Sequence, residues 1–210
     1  MSSTEVESLI ERLRKQAREE SPESTPDVGV VMGSDSDFDV MMGSGDDRGG
    51  AYDALTELGF EEVTDYHDPP EERFTFETYV VSAHRTPDLM YAYGETAAER
   101  GVDVIIAGAG GKSADLPNMT ASIAYPIPVI GVPVQEKSVP SVIGMPQGAP
   151  ITAVDAGKSF NAALSAAQIL STDSPSLREK LKKYHEGLRD GVGEVSREMH
   201  DSGVEKFRER

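Results

Sequence analysis

The stretch Tyr79-Val80-Val81-Ser82-Ala83-His84-Arg85-Thr86-Pro87 joins a strand-forming segment to the start of a helix. Its apolar beginning is typical of a buried strand, and Thr86-Pro87 is typical of a helix N-terminus. The order places His84 and Arg85 side by side at the carboxyl end of a strand, the edge at which open α/β sheets bind ligands. An imidazole beside a guanidinium indicates acid/base chemistry on an anionic, phosphorylated small molecule. The neighbouring cation is expected to keep the imidazole neutral.

Outward from this stretch, strand-like and helix-like segments alternate along the chain. Short apolar runs predict strands, and apolar stripes at helical spacing predict helices. Such alternation indicates βαβ units and a parallel sheet. We therefore expect a three-layer α/β fold, with helices on both faces of the sheet. The predicted strands span 28–32, 78–83, 102–107 and 127–132; the predicted helices span 4–20 and 87–100, with others beginning at Phe38 and after an N-cap at Asp155.

The apolar stripes of three helices can be specified. The stripe of the first helix comprises Val6, Leu9, Ile10, Leu13 and Ala17. The helix capped by Asp155 is expected to have an inner face made of Phe160, Ala163, Leu164, Ala167 and Leu170. The C-terminal stretch is predicted to be helical but broken at Gly187, Gly191 and Gly193. Its stripe, which could dock on another subunit, comprises Leu177, Leu181, Tyr184 and Leu188.

Composition shifts divide the chain into predicted parts. Residues 1–26 are an N-terminal helix and linker, 27–171 a catalytic α/β domain, and 172–210 a C-terminal helical extension. Two polar segments, 43–50 and 66–73, interrupt the α/β domain. Their glycine, proline and acidic content is typical of flexible surface insertions rather than of functional loops.

The chain has 37 acidic and 20 basic residues and a formal net charge of −17 at pH 7. Such a surface repels nucleic acid and anionic membranes, so neither is an expected partner. The absence of cysteine excludes disulfides and thiol catalysis. The sequence contains no histidine–carboxylate cluster, so a metal site is not expected. The acidic N-terminus lacks the apolar core of a secretory signal, which favours a cytoplasmic location. The acidic excess suits a high-salt cytoplasm, where counterions screen self-repulsion.

Two further glycine-containing loops follow predicted strands. Gly33-Ser34-Asp35-Ser36-Asp37 offers hydroxyls and backbone N–H groups to a phosphate, and Asp37 could accept hydrogen bonds from ribose hydroxyls. The alternative is an ordinary helix cap. Gly108-Ala109-Gly110-Gly111 lets a ligand approach the backbone closely, and its alternative is a tight turn. It has neither the lysine of a P-loop nor the spacing of a dinucleotide fingerprint. From local sequence alone, His84 is open to a structural or a functional interpretation.

Together these segments resemble the N5-carboxyaminoimidazole ribonucleotide mutase family of purine biosynthesis, the catalytic-subunit type of phosphoribosylaminoimidazole carboxylase. The resemblance covers roughly residues 27–171, and the matching motifs occur in the family's order. The matching segments are Val30–Asp37, Val81–Pro87, Val104–Gly111, Val129–Gln135 and Asn161–Leu170.

The resemblance implies a flavodoxin-like fold, a homo-octamer, and transfer of a carboxylate from N5 to C4 of the aminoimidazole ring. No ATP, metal or organic cofactor is implied, and carbon dioxide is the transient species. A separate ATP-dependent N5-carboxyaminoimidazole ribonucleotide synthetase is the implied pathway partner. By position, His84 matches the general acid/base, Ser34, Asp37 and Arg85 the nucleotide-binding residues, and Ser82 the ring pocket. The full set of expected substrate-binding residues is Ser34, Ser36, Asp37, Ser82, Arg85, Gly110, Gly111, Asp115 and Leu116.

The loop after Gly111 departs from the family pattern. It is one residue longer than usual, and Asp115 stands where a second histidine is expected. Lys112 could replace some of the lost positive charge. Two alternatives stay open: direct carboxylation of aminoimidazole ribonucleotide by carbon dioxide, and a non-enzymatic nucleotide-binding module. The retained Gly110-Gly111 and Leu116-Pro117 favour the mutase over the direct carboxylase.

Overall fold

The apolar segments of the chain form a six-stranded parallel sheet in the computed structural model, which describes residues 4–19, 26–44, 49–66, 70 and 74–208. The strands are β1 (Val28–Met32), β2 (Glu61–Glu62), β3 (Thr75–Val80), β4 (Val104–Ala109), β5 (Val129–Pro133) and β6 (Thr152–Ala153). Their order is β2-β3-β1-β4-β5-β6. Every residue of β1, β4 and β5 is buried, as expected for parallel strands covered on both faces.

The position of β1 determines where a ligand can bind. Its neighbours β3 and β4 both follow it in sequence, so the chain leaves β1 towards one side of the sheet and later crosses to the other. The loops that leave the carboxyl ends of β1 and β4 therefore diverge, and a crevice lies between them. This is the switch point at which open α/β sheets bind ligands.

Helices cover both faces of the sheet, which confirms the predicted three-layer, flavodoxin-like α/β fold. The helices of this part of the chain are α1 (Glu5–Glu19), α2 (Phe38–Met42), α3 (Ala51–Glu57), α4 (Pro87–Thr96), α5 (Leu116–Ile123), α6 (Val139–Val142) and α7 (Ser159–Leu170). The last helix in the chain, α8 (Pro175–Phe207), follows them. On one face α4 contacts α1 and α5, and on the other α7 contacts α2 and α3. Val31, Ile105 and Ala107 belong to the core beneath α4 and α5.

The first helix packs on the core through the predicted stripe. Leu13 is fully buried, and Val6, Leu9 and Ile10 pack against the same cluster. α1 lies against α4, so it belongs to the compact unit that spans residues 1–170. The division at residue 26 into a linker and a catalytic domain stays a prediction, and residues 20–25 lie outside the described part of the chain.

Several predicted boundaries are wrong by a few residues. β3 begins at Thr75 and ends at Val80, whereas the prediction ran from 78 to 83. β4 and β5 each begin two residues later than predicted, at Val104 and Val129. α4 ends at Thr96, after which a turn leads to Gly101, whose φ of +84° suits a glycine.

The helix predicted after Asp155 begins later than expected. Asp155 does not cap α7, because its side chain accepts a hydrogen bond from the backbone of Ala156 and the helix starts only at Ser159. The inward face of α7 consists of small residues, while Phe160, Leu164 and Leu170 are half-buried. The buried residues of α7 are Ser159, Ala162, Ala163, Ala166 and Ala167.

Residues 171–210 form a second compact unit that contains α8. The predicted breaks at Gly187, Gly191 and Gly193 are wrong, since α8 runs through all of them. The non-helical residue is Gly203, at φ +78°. No helix among the described residues is long and apolar enough to cross a membrane.

The two predicted surface insertions are described only at their ends. Gly43 and Gly49 form an antiparallel bridge, and residues 45–48 lie outside the described part. Tyr66, which opens the second segment, is 7% exposed and donates a hydrogen bond to Glu77. Its assignment to a surface insertion is therefore wrong. Residues 67–69 and 71–73 lie outside the described part as well.

Candidate active site

The loop after β1 turns at once into a short helical turn, Asp35–Asp37, that precedes α2. The Gly33 amide donates to the Gly108 carbonyl at 3.0 Å, which ties this loop to β4. The Ser34 hydroxyl accepts from the Ser36 amide and donates to the Asp35 carboxylate. The bond from Ser34 lowers the pKa of Asp35. Ser34 thus caps the turn, as the helix-cap interpretation predicts, and the half-buried residue also lines the crevice.

The carboxylate of Asp37 is turned inward and is 7% exposed. Burial raises the pKa of Asp37, while backbone amides of Gly110 and Ser34 and the charge of Arg85 oppose that shift. Desolvation disfavours a charge, and the hydrogen bonds stabilise it. Asp37 is therefore a fixed acceptor at the base of the crevice, within reach of the loop that follows β4.

The loop after β3 is held by Ser82 and Thr86. The Ser82 amide donates to the Thr86 hydroxyl at 2.9 Å, and the Thr86 amide donates to the Ser82 carbonyl at 3.0 Å. Arg85 reaches across to the loop after β1, where its Nη2 donates to the Gly33 carbonyl at 3.1 Å. The guanidinium thus links two of the three predicted binding loops.

The imidazole of His84 does not have the partner that the sequence suggested. Its Nε2 lies 3.1 Å from Oδ2 of Asp115, and Arg85 points instead towards Gly33 and Ser82. The neighbouring Arg85 guanidinium is therefore not the group that the imidazole contacts. The group that contacts the ring is an anion from the loop after β4.

Two glycines bring the backbone after β4 close to the crevice. A Cβ atom on Gly110 would lie 3.0 Å from Oδ1 of Asp37, tighter than ordinary contact. Gly111 has a φ of +85°, which favours glycine. The absence of a side chain allows the Gly110 amide to contact Asp37. The close approach of a ligand to this loop stays a prediction.

The three loops and the segment after β5 line a cleft of about 320 Å³, a size suited to a small ligand. It is lined by His84 and by all the predicted substrate-binding residues except Arg85. The lining residues that the prediction omitted as site residues include Ser113, Gln135 and Lys137. Gln135 and Lys137 follow β5, and their place beyond a strand end was the signal that could have identified them. Lys112, the predicted source of positive charge, does not line the cleft, whereas Lys137 does.

The charged groups of the cleft do not form a metal-binding cluster. Within the residues that the structure describes, no group of three or more histidine, aspartate or glutamate side chains could hold a metal ion. What the cleft offers is an exposed imidazole, hydroxyls, backbone amides and the Lys137 ammonium, with the Arg85 guanidinium beside it. Such groups suit proton transfer on an anionic small molecule.

Comparison with known proteins agrees with this geometry. The family profile described as AIR carboxylase matches residues 27–190. The chain belongs to the AIR carboxylase family. The match contains all the strands and every loop that lines the cleft, and it ends within α8.

The matches cover nearly the whole length of two mutase relatives but less than a third of a carboxylase relative. The N5-carboxyaminoimidazole ribonucleotide mutase of Bacillus subtilis is 43% identical over 182 residues, covering 83% of this chain and 98% of the relative. The mutase of Thermotoga maritima is 39% identical over 188 residues, covering 87% of this chain and 96% of the relative. The phosphoribosylaminoimidazole carboxylase of Schizosaccharomyces pombe is 38% identical over 192 residues, covering 89% of this chain but 31% of that protein.

Solved structures agree with the fold. The crystal structure of Treponema denticola PurE matches with a TM-score of 0.63 and 21% identity, covering 82% of this chain and 97% of that one. At this identity the likeness supports the three-layer architecture alone.

Proposed function

We propose that this chain converts N5-carboxyaminoimidazole ribonucleotide to 4-carboxy-5-aminoimidazole ribonucleotide, an isomerisation in purine biosynthesis. The observation that carries the proposal is the cleft in which the His84 imidazole, 61% exposed, meets the loops after β1 and β4. The reaction needs a nucleotide-binding loop and a proton-exchanging group in the same cleft, and this chain has both. Relatives with the mutase name, 39% and 43% identical, support the same conclusion.

The ribose phosphate is assigned to the loops after β1 and β3. Ser34 and Ser36 supply hydroxyls, and Arg85 supplies a guanidinium once it exchanges the Gly33 carbonyl for a phosphate oxygen. Asp37 is a fixed acceptor for ribose hydroxyls. A chain with a net charge of −17 needs such a local positive site to hold a phosphate monoester.

The aminoimidazole ring is assigned to the part of the cleft between Ser82 and the loop after β4. Leu116 is 1% exposed and lines the same cleft, so it offers an apolar contact to the ring. The backbone at Gly110 and Gly111 lies open to the migrating carboxylate, to which N–H groups can donate. Lys137 adds a cation from the loop after β5.

His84 moves the proton that the isomerisation requires. Cleavage of the bond between N5 and the carboxylate carbon releases carbon dioxide, and N5 takes up a proton. C4 of the ring then attacks the carbon dioxide held in the cleft, and C4 loses its proton to restore aromaticity. One histidine ring can give the first proton as the imidazolium and, once neutral, accept the second, so protons balance over the cycle. Keeping carbon dioxide next to C4 is a proximity effect.

A direct carboxylation of aminoimidazole ribonucleotide is the second candidate. It would use the same cleft and the same removal of the C4 proton, with carbon dioxide supplied from solution. The Schizosaccharomyces pombe relative, which carries the carboxylase name, is the observation that favours it. A nucleotide-binding module without catalysis is the third; it would need the phosphate residues but not His84.

The experiment that separates these functions supplies two feeds and measures 4-carboxyaminoimidazole ribonucleotide in molar salt. One feed is the N5-carboxylated ribonucleotide, and the other is aminoimidazole ribonucleotide with bicarbonate. We expect turnover mainly of the first feed, because the released carbon dioxide is captured before it escapes. Turnover mainly of the second would assign the direct carboxylase, and turnover of neither would assign the binding module.

The proposal includes a cytoplasmic homo-octamer that works at high salt, downstream of an ATP-dependent N5-carboxyaminoimidazole ribonucleotide synthetase. Large apolar side chains on the described surface support subunit contacts: Phe38 is 52% exposed, Tyr125 68% and Ile143 56%. Sedimentation in molar salt is expected to give an octamer, with dissociation in low salt as the acidic surfaces repel. A monomer in molar salt contradicts the assembly, and an unchanged octamer in low salt contradicts the salt requirement.

A further inference from the structure

The carboxylate of Asp115 lies between two side chains from different parts of the chain. Its Oδ2 is 3.1 Å from Nε2 of His84, in the loop after β3. Its Oδ1 accepts a hydrogen bond from the Ser141 hydroxyl at 3.0 Å, and Ser141 belongs to α6. Each oxygen therefore has its own partner. The orientation of the carboxylate relative to the imidazole is fixed from both sides.

Asp115 does not have the ordinary role of an aspartate at this position in the chain. It immediately precedes α5, where an aspartate usually caps the helix by accepting from backbone N–H groups. Here the side chain makes no capping hydrogen bond. The amide of Asn118, in the first turn of α5, instead donates to the Ser141 carbonyl and ties α6 to that turn. The local structure directs the carboxylate to His84 rather than to its own helix.

We propose that Asp115, held by Ser141, is a positioning residue that fixes the tautomer of His84. This inference rests on the proposed function, in which His84 exchanges a proton with the substrate. A carboxylate only accepts hydrogen bonds, so the ring nitrogen facing it carries the hydrogen. Nε2 is then the protonated nitrogen of the neutral ring, and Nδ1 holds the free lone pair. Nδ1 is the atom that takes the C4 proton.

The same contact stabilises the ring after it has taken the proton. The imidazolium formed at His84 then has a carboxylate at hydrogen-bond distance, as in hydrolase triads. A direct role of Asp115 at the ring is less favourable, because the migrating carboxylate of the substrate lies there and a second carboxylate would repel it. The geometry thus assigns Asp115 to His84, and not to the ligand.

The test compares Asp115→Asn with Ser141→Ala and with Asp88→Asn. Asp88 is an exposed aspartate at the start of α4, outside the cleft, and serves as the matched carboxylate-to-amide control. Asparagine keeps the size of Asp115 but no longer selects one tautomer or stabilises the imidazolium. We expect Asp115→Asn to lower kcat about 10- to 100-fold with little change in KM, less than in a buried triad because solvent reaches this pair. Ser141→Ala should show a smaller loss in the same direction, and Asp88→Asn none.

A second readout does not depend on turnover. Nitrogen-15 NMR of histidine-labelled free protein reports which ring nitrogen carries hydrogen, and His84→Asn assigns the signal. We expect a single Nε2–H tautomer for His84 in the wild type and a mixture in Asp115→Asn. A higher KM with unchanged kcat would make Asp115 a substrate contact, and an unchanged tautomer in the variant would overturn the proposal. If the wild type turns over neither feed, the proposed function fails, while the NMR result still decides whether Asp115 sets the tautomer.

Discussion

Replacement of His84 by asparagine is expected to reduce turnover of the N5-carboxylated ribonucleotide by about 10²- to 10⁴-fold, the range typical of a lost general acid/base. Asparagine preserves an amide group that can still contact Asp115 at the position of the ring, so the loop after β3 should keep its conformation. The variant loses reversible protonation near neutral pH, the property that the proposed reaction requires. Steady-state kinetics in molar salt measure the loss.

The binding residues are left intact in this variant. Ser34, Asp37 and Arg85 lie in or beside the cleft and make hydrogen bonds to groups other than the imidazole, so calorimetry with the 4-carboxylated product should give a Kd close to that of the wild type. His185→Asn, at an exposed position of α8, is the matched control and should retain full activity. Turnover of His84→Asn within about tenfold of the wild type would exclude His84 as the proton carrier. Equal losses of binding and turnover would instead indicate that the loop is misfolded.

The central strands and the loop after β1 could be predicted because their signals are local. Val28–Met32 is an apolar run, and the glycine, serine and aspartate residues that follow it mark the end of a strand. The predicted bounds of β3 were displaced by three residues, because Glu77 interrupts the apolar pattern of the strand. Glu77 is tolerated there through Arg100, which lies 23 residues further along the chain. No local pattern reveals such a pair.

The partner of His84 was missed for the same physical reason. Arg85 is its neighbour in sequence, but successive side chains in a turn point in different directions, and Arg85 reaches the Gly33 carbonyl. Asp115, 31 residues away, meets the imidazole because the loops after β3 and β4 converge at one edge of the sheet. The strand ends predicted which residues gather there; the pairing among them depends on loop conformations that only the folded chain defines.

The predicted breaks in α8 were wrong because the energetic cost of a glycine in a helix was overestimated. A glycine in an exposed helix costs about 1 kcal/mol relative to alanine, which a helix of 33 residues can tolerate several times. Gly187, Gly191 and Gly193 therefore remain helical, whereas Gly203 takes a left-handed φ. Composition alone does not distinguish these glycines.

The second large effect is expected in the core, at the ion pair of Arg100 with Glu77. Both amino groups of the guanidinium lie 2.8 Å from carboxylate oxygens, and the side chains are 0% and 1% exposed. Tyr66 donates to the same carboxylate, and the ring of Tyr93 lies 5.0 Å from the guanidinium carbon. Burial opposes the charge on Arg100, but the Glu77 carboxylate outweighs it and raises the pKa of Arg100. Burial and the charge of Glu77 raise the pKa of Tyr66 as well.

Arg100→Met should lower the free energy of unfolding by about 3–5 kcal/mol, because it leaves the Glu77 carboxylate buried without a counter-charge. For a chain of this size each kcal/mol shifts Tm by about 2–4 °C, so a fall of roughly 6–20 °C is expected at fixed protein and salt concentration. Thermal unfolding followed by circular dichroism measures it. Lys182→Met is the matched control, since it breaks the exposed Lys182–Glu179 pair and should cost less than about 1 kcal/mol.

The double variant Glu77→Gln with Arg100→Met separates an orphaned charge from lost packing. If the cost of Arg100→Met comes from the unpaired carboxylate, replacing Glu77 by glutamine removes that charge and should restore most of the lost Tm. Tyr66 can still donate to the glutamine oxygen, so the tyrosine hydroxyl is not left unpaired. A double variant as unstable as Arg100→Met would mean that the guanidinium stabilises the core through packing against Tyr93 rather than through neutralising Glu77. In that case the buried pair would stabilise the core through the packing of its side chains, and its charges would contribute little to stability.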